Sequence, residues 1–254
     1  MCIRDRNILL TNDDGYKASG INQLFKSLSA EHKVFLIAPR ENCSGMSAAI
    51  SLRKEIKVEE ISKNIFSVSG TPADCSYLGL LSVIPEPIEM IVSGINLGAN
   101  LGEDVFYSGT VGAAIAGRRL NYVPVAFSVA AYNPKNLTYI AEQSLLITNQ
   151  ASQLPADQNL LVNVNFPDLP ASKIKGIKIT SLGKRGVPDT PDLIRAKDSI
   201  KFYSFGPSGT LLPDQVGTDI QAIEQNYISI SILDYNLSAD LAHWDLYKEV
   251  FNCE

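Results

Sequence analysis

Two acids stand side by side early in the chain, in the run "ILLTNDDGYKASG" at residues 8–20. Asp13 and Asp14 follow a short apolar stretch and precede Gly15, with Asn12 ahead of them. Adjacent carboxylates repel each other, and an ordinary turn needs only one, so the pair points to a bound cation. Two further polar clusters also follow apolar runs: "NCSG" at 42–45 and "SGINLGANLGEDVFYSGT" at 93–110. Ser44 and Asn96 could add neutral oxygens to the two carboxylates. Such a hard, oxygen-rich set suits Mg²⁺, Mn²⁺ or Ca²⁺. The chain has only two histidines, His32 and His243, both away from these clusters. A His-ligated zinc hydrolase and a Ser-His-Asp triad are therefore disfavoured, and metal activation of water is the expected chemistry.

The "SGT" at 108–110 opens a helical pattern of small residues, with Ser108 or Thr110 placed to cap it. A capped helix start beside glycine offers N–H groups to an anion, and next to a hard cation that anion would be phosphate. Taken singly, each feature has an ordinary reading: a turn, loop glycines, a structural cap. Gly94, Gly98 and Gly102 lack the Lys-Ser/Thr of a P-loop and the spacing of a dinucleotide fingerprint. It is the combination that points to function.

The elements that must position these clusters read as alternating strands and helices. Apolar runs at 7–11, 33–38, 89–94, 123–130 and 159–167 are expected strands of the continuous type found in parallel sheets. Helical patterns lie at 19–30, 72–83, 109–120 and 137–152. The expected fold is α/β, a Rossmann-like parallel sheet covered on both faces, with ligands at the carboxyl ends of the strands. The pattern changes after residue 167. Strand-like runs at 174–182 and 227–234 flank a Pro/Gly/Asp-rich stretch at 183–219, and a last helix is expected near 238–251. The expected organisation is one domain over 7–254: a core at 7–167 and a C-terminal, β-rich extension at 168–254 that serves subunit contacts.

The 254 residues carry a net charge of −5, which gives no basic footprint for a nucleic-acid duplex or an anionic membrane. No apolar run approaches the ~20 residues of a membrane span, and no signal peptide is visible. The four scattered cysteines suit neither a zinc ribbon nor a disulfide framework, so a reduced, cytoplasmic setting is expected. The opening "MCIRDR" fits no strand or cap logic. It can be encoded by ATG-TGT-ATA-AGA-GAC-AG(A/G), which reads like a transposon end used in sequencing libraries, so residues 1–6 are expected to be non-native. The same codons in a genome read without that chemistry would overturn this.

The sequence resembles the SurE family, the survival-protein-E 5′/3′-nucleotidases, over nearly the whole chain from residue 7. The matching stretches are Asn12 to Gly15, Ser44-Gly45, "GTPADC" at 70–75, "VSGINLGANLGEDVFYSGTVGAA" at 92–114, and later "NVNFPDLP", "IKGIKIT" and "GTDIQAI". The resemblance implies a metal-dependent phosphomonoesterase acting on nucleoside 5′- and 3′-monophosphates. It implies one divalent ion per subunit, Mg²⁺ or Mn²⁺, and a homodimer or homotetramer that exchanges strands through the extension. It assigns metal ligation to Asp13, Asp14, Ser44 and Asn96, with Asp13 and Asp14 also candidates to handle a proton or attack directly. Phosphate binding falls on Asn12, Gly45, Asn100, Ser108, Gly109 and Thr110.

The chain departs from the family pattern at Arg40-Glu41-Asn42-Cys43, where Cys43 replaces a cation. Lys17 and Ser19 stand where His and Pro are common. Two alternatives stay open: a phosphatase for other small esters or polyphosphate, and a non-catalytic nucleotide-binding or assembly module. A haloacid-dehalogenase-type site is excluded, since it needs Asp-x-Asp.

Overall fold

The computed structural model describes residues 5–155, 159–206, 209–210, 212, 215–236, 238 and 248–250. The first half runs β1 (Asn7–Thr11), α1 (Ser19–Leu28), β2 (Lys33–Pro39), β3 (Val58–Ser62), β4 (Ile65–Val68), α2 (Pro72–Leu78), β5 (Met90–Leu97) and α3 (Gly109–Ile115). It continues with β6 (Val125–Val129), α4 (Leu137–Ala151), β7 (Leu160–Phe166), β8 (Ile177–Thr180), β9 (Asp192–Lys197), β10 (Ile200–Ser204), α5 (Asp219–Glu224) and β11 (Ile228–Asp234). A wider π-type turn, Gly79–Val83, extends α2.

Among the described residues, nine strands form one sheet in the order β3-β4-β2-β1-β5-β6-β7-β11-β8. The six from β4 to β7 run parallel, while β3 pairs antiparallel with β4 and β11 with β7. The central strands are mostly apolar because both faces are covered, with buried polar residues such as Ser93, Ser128, Asn163 and Asn165 among them. Ile8 and Leu10 enter a core shared with Leu24 of α1 and Ile140 of α4, while Leu9 enters one with Phe35, Val68 and Cys75 on the other face. On that second face α2 packs on α3. The result is a three-layer α/β fold. From β1 the chain moves outward to β2 on one side and later returns to place β5 on the other. The strand order therefore reverses between β1 and β5, the place where open α/β sheets gather ligands.

The strands and helices expected before residue 236 are present, with shifted ends. β5 runs on to Leu97 through Gly94, where a Cβ would lie 2.3 Å from the Phe127 carbonyl oxygen. This glycine marks close strand approach, not a loop. α3 stops at Ile115, short of the expected 120. The hairpin β3–β4 is missing from the sequence reading because it is a half-exposed edge pair carrying Glu59 and Glu60, with Asn64 at positive φ in its turn. The hairpin β9–β10 lies inside the stretch read only as Pro/Gly/Asp-rich, and α5 begins at its last residue. After residue 167, β8 and β11 join the main sheet, and β9–β10 alone forms a separate two-stranded sheet. The helix expected near 238–251 lies mostly outside the described residues, as do residues 1–4.

Arg6 is tied into the fold. Its carbonyl accepts from Lys33 N–H at 3.0 Å, its guanidinium donates to Asn149 and Ser152, and it lies 4.9 Å from the Tyr122 ring centre. Whatever codons encode it, its side chain has become part of the packing.

α1 reaches the sheet through Gly20, where a Cβ would fall 2.0 Å from the Ile95 carbonyl oxygen. Gly20→Ala is expected to push the helix off β5 and destabilise the protein by about 1–3 kcal/mol, read as a lower urea midpoint.

Candidate metal and phosphate site

The two acids lie in the turn that ends β1. Asn12 closes this turn: its amide donates to the Gly15 carbonyl at 3.0 Å, and its Oδ1 accepts from Gly15 N–H at 3.2 Å. Tyr16 N–H then bonds the Pro39 carbonyl, which docks the turn on the end of β2. Gly15 takes φ +100°, a conformation that side chains disfavour.

Asp13 is buried, with 4 % of its surface exposed. Its Oδ1 accepts a 2.5 Å hydrogen bond from the Thr110 hydroxyl, and its backbone carbonyl accepts from Cys43 N–H at 2.7 Å. Gly109 has no side chain because the Asp13 carboxylate occupies that space: a Cβ there would lie 2.8 Å from Asp13 Cβ. Burial pushes the Asp13 carboxyl up to about 6. The Thr110 hydrogen bond opposes this, and the neighbouring Asp14 charge adds to it. Asp14 is also raised, mainly by burial, against hydrogen bonds from Leu97 N–H at 3.0 Å and the Asn42 amide at 3.3 Å. Among the described residues no ion pair reaches either acid; Arg40, the cation nearest in sequence to the second cluster, pairs with Glu59.

The other two clusters come to the same place. Asn42 bridges, since its amide contacts Asp14 while its Oδ1 accepts from Ser44 N–H at 3.0 Å. Ser44 and Gly45 are exposed on this loop. On the third strand, the register between β5 and β6 shifts between Ser93 and Asn96, a bulge that re-aims the residues beyond it. The Asn96 amide donates to the Gly98 carbonyl at 2.8 Å, which leaves its Oδ1 as the group to offer a cation.

The residues expected at the phosphate site have their side chains engaged within the protein. Ser108 Oγ caps α3 by accepting from Val111 N–H at 3.1 Å. Thr110 is committed to Asp13. The start of this seven-residue helix therefore lies against the Asp13 carboxylate. Asn100 is buried, with its amide on Ser128 Oγ at 2.7 Å and its backbone held by Asn163 and Asn165. Of this group, only Gly45 stands clear, with open space around its α-carbon.

Several supporting residues escaped the sequence reading. Gly112 lets the Ser44 loop lie on α3, because a Cβ there would meet Ser47 O at 2.3 Å. The "GTPADC" stretch works as a clamp. Thr71 and Asp74 form a capping box on α2, and Asp74 Oδ1 accepts from Ser51 N–H at 2.9 Å, pinning the far end of that loop. Asp219 is buried and accepts from the N–H groups of Gly102, Gly183 and Ile220, joining the loop after β5 to the C-terminal region.

The donor set fits a hard divalent cation: two carboxylates without a counter-charge and two neutral oxygens. Among the described residues no group of three or more His, Cys, Asp and Glu is gathered, so a softer, nitrogen- or sulfur-rich site is not present there.

Fold and site together define a three-layer α/β protein with an oxygen-donor site at the reversal of strand order. Comparison with known proteins makes this specific. The family described as Survival protein SurE matches residues 8–189, and the chain belongs to it. It is 39% identical over 252 residues to the 5'-nucleotidase SurE of Pseudoalteromonas atlantica, covering 93% of this chain and 98% of that one. It is 41% identical over 235 residues to the 5'/3'-nucleotidase SurE of Wigglesworthia glossinidia brevipalpis, covering 91% and 92%. The crystal structure of the SurE protein from Aquifex aeolicus superposes with a TM-score of 0.83 at 32% identity, covering 96% and 99%.

Burial raises the Asp74 carboxyl, but hydrogen bonds from Ser51 and Thr71 outweigh it and hold the group below its usual range. A lowered folded-state pKa adds stability above the unfolded value, and that stability is lost as pH falls through the folded value. Asp74→Asn is expected to cost about 1–3 kcal/mol at neutral pH, with the gap to the parent protein closing in acid. Urea unfolding at a series of pH values reads this.

Proposed function

We propose that the protein is a metal-dependent nucleotidase that releases phosphate from nucleoside 5′- and 3′-monophosphates. The observation that carries this reading is the meeting of buried Asp13 and half-buried Asp14, without a cationic partner among the described residues, with Asn96 and the Ser44 loop where the strand order reverses. The relatives named as nucleotidases support the substrate class.

Asp13, Asp14, Ser44 and Asn96 would hold one Mg²⁺ or Mn²⁺ ion. When bound, such an ion polarises a phosphoryl oxygen and lowers the pKa of water. The residues of the chain do the rest. Thr110 fixes the Asp13 carboxylate, and Leu97 N–H and Asn42 fix that of Asp14, so both acids are set before substrate arrives. The Gly98 carbonyl orients Asn96. The open backbone at Gly45 is where a phosphate would meet the chain.

A homodimer or larger homo-oligomer is part of the same proposal. The hairpin β9–β10 is exposed along its whole length and carries Leu193, Ile194, Ile200, Phe202 and Tyr203 in water. Exposed apolar side chains gathered in this number on one hairpin mark a contact. A cytoplasmic setting is proposed from the unpaired cysteines Cys43 and Cys75. Among the described residues no helix is long and apolar enough to cross a membrane.

Phosphate release from AMP and 3′-AMP is expected with Mg²⁺ or Mn²⁺ and not in EDTA. Asp13→Asn and Asp14→Asn are each expected to lower it at least ~100-fold, the scale of losing one preorganised electrostatic contact. Added metal is expected to raise the Tm of the parent protein and not of these variants. Release that survives EDTA would overturn the metal assignment. For the assembly, light scattering after gel filtration is expected to give a multiple of the monomer mass, and Phe202→Asp with Ile194→Asp to shift it to the monomer.

A further inference from the structure

A cavity of about 670 Å³ opens beside the acid cluster, within the ~300–1,000 Å³ range of small-molecule sites. Its floor is made of small residues, Gly98 and Ala99 after β5 and Ala130 and Ala131 after β6. Its walls carry two aromatic rings, Tyr132 and Phe205, and the polar pair Asp104 and Arg185.

Three features link this cavity to the proposed site and to a flat ligand. The first is continuity. Gly98, part of the floor, is the residue whose carbonyl holds the Asn96 amide, so the cavity begins where the proposed metal ligands end. The second is the state of the rings. Tyr132 is 81 % and Phe205 85 % exposed, which leaves large apolar faces in water with no packing reason. Tyr132 lies against the backbone at Gly98, where a Cβ would come within 3.2 Å of its ring. The third is a fixed polar wall. Arg185 donates from Nε to Asp104 at 2.9 Å and from Nη1 to the Gly209 carbonyl at 2.9 Å, and its backbone N–H donates to Glu103. Flat rings over a small-residue floor, with fixed polar groups alongside, suit a heteroaromatic ring better than a sugar or an extended polyanion.

We propose that this cavity takes the base of the nucleotide, stacked on Tyr132 and Phe205, and so sets the preference for nucleotides over other phosphate esters. The inference rests on the nucleotidase reading. A second cavity of about 590 Å³ lies on the other side of the Ser44 loop, lined by Met46, Ile50 and Leu52, and has no aromatic ring.

The test compares kcat/KM for AMP with that for ribose 5-phosphate, which lacks a base, using the full chain with Mn²⁺. The ratio is expected to fall about tenfold or more in Tyr132→Ala and in Phe205→Ala, the scale of one lost stacking contact, with the change in KM. Tyr132→Phe keeps the ring and is expected to restore the ratio. Both side chains are exposed, and each variant carries its own reference in the baseless ester, so a folding defect would lower both rates and leave the ratio alone. A ratio unchanged in both alanine variants would overturn the proposal. So would a fall confined to Leu52→Ala, which would move the base to the second cavity. A parent protein with equal kcat/KM for the two esters would overturn the pocket while sparing the phosphatase chemistry. A parent inactive on both would overturn the nucleotidase reading and this inference with it.

Discussion

The hydrogen bond between Thr110 and Asp13 is the contact around which the structure is organised. It joins the turn after β1 to the first residues of α3, and it does so over a glycine that leaves room for the carboxylate. A buried carboxylate is costly, and a second beside it more so. The fold tolerates the pair because neutral donors hold each one: a hydroxyl for Asp13, a backbone N–H and an amide for Asp14. No arginine or lysine among the described residues has been recruited to quench them. A cation partner built into the protein would stabilise the empty fold, and it would also fill the place a divalent ion needs.

The surroundings follow from keeping that pair in place. The loop bearing Ser44 is fastened at one end by Asn42 and at the other by Asp74, and between them it lies on the bare backbone of Gly112. The loop after β5 is fastened by the buried amides of Asn163 and Asn165 and by Asp219. The C-terminal part of the chain thus belongs to the same mechanical unit as the acids. Among the strands of the described residues, only the hairpin β9–β10 is free of the main sheet.

The alternation of apolar runs with helical patterns made the sheet legible, because strands buried on both faces are mainly apolar and carry few charges to blur them. The acids were legible only in combination: two charges after a buried strand read alone as a turn, and the oxygen-bearing clusters after two further strands made them a site. The edge hairpin β3–β4 was not, since a half-exposed strand carrying Glu59 and Glu60 looks like a loop. The supporting residues were hidden for another reason. Gly109 and Gly112 read as helix starts and small packing residues, and their meaning lies in what approaches them from far along the chain. Resemblance placed Asn12, Ser108, Thr110 and Asn100 on the phosphate. Their side chains are occupied in closing a turn, capping a helix, holding Asp13 and bonding Ser128. Side-chain commitments of this kind carry no periodic signal.

The long reach of these contacts bears on how the protein comes into being. Asp13 meets a partner 97 residues onward, and the loop at Gly102 is secured by a carboxylate 117 residues beyond it. Contacts so distant in sequence form only after much of the chain has been ordered, and topologies rich in them fold slowly. On a ribosome the two acids emerge before the strands that will enclose them and stay in solvent, fully charged, until those strands have been made. Their burial is thus a late event, and the site is finished only when the sheet around it has closed.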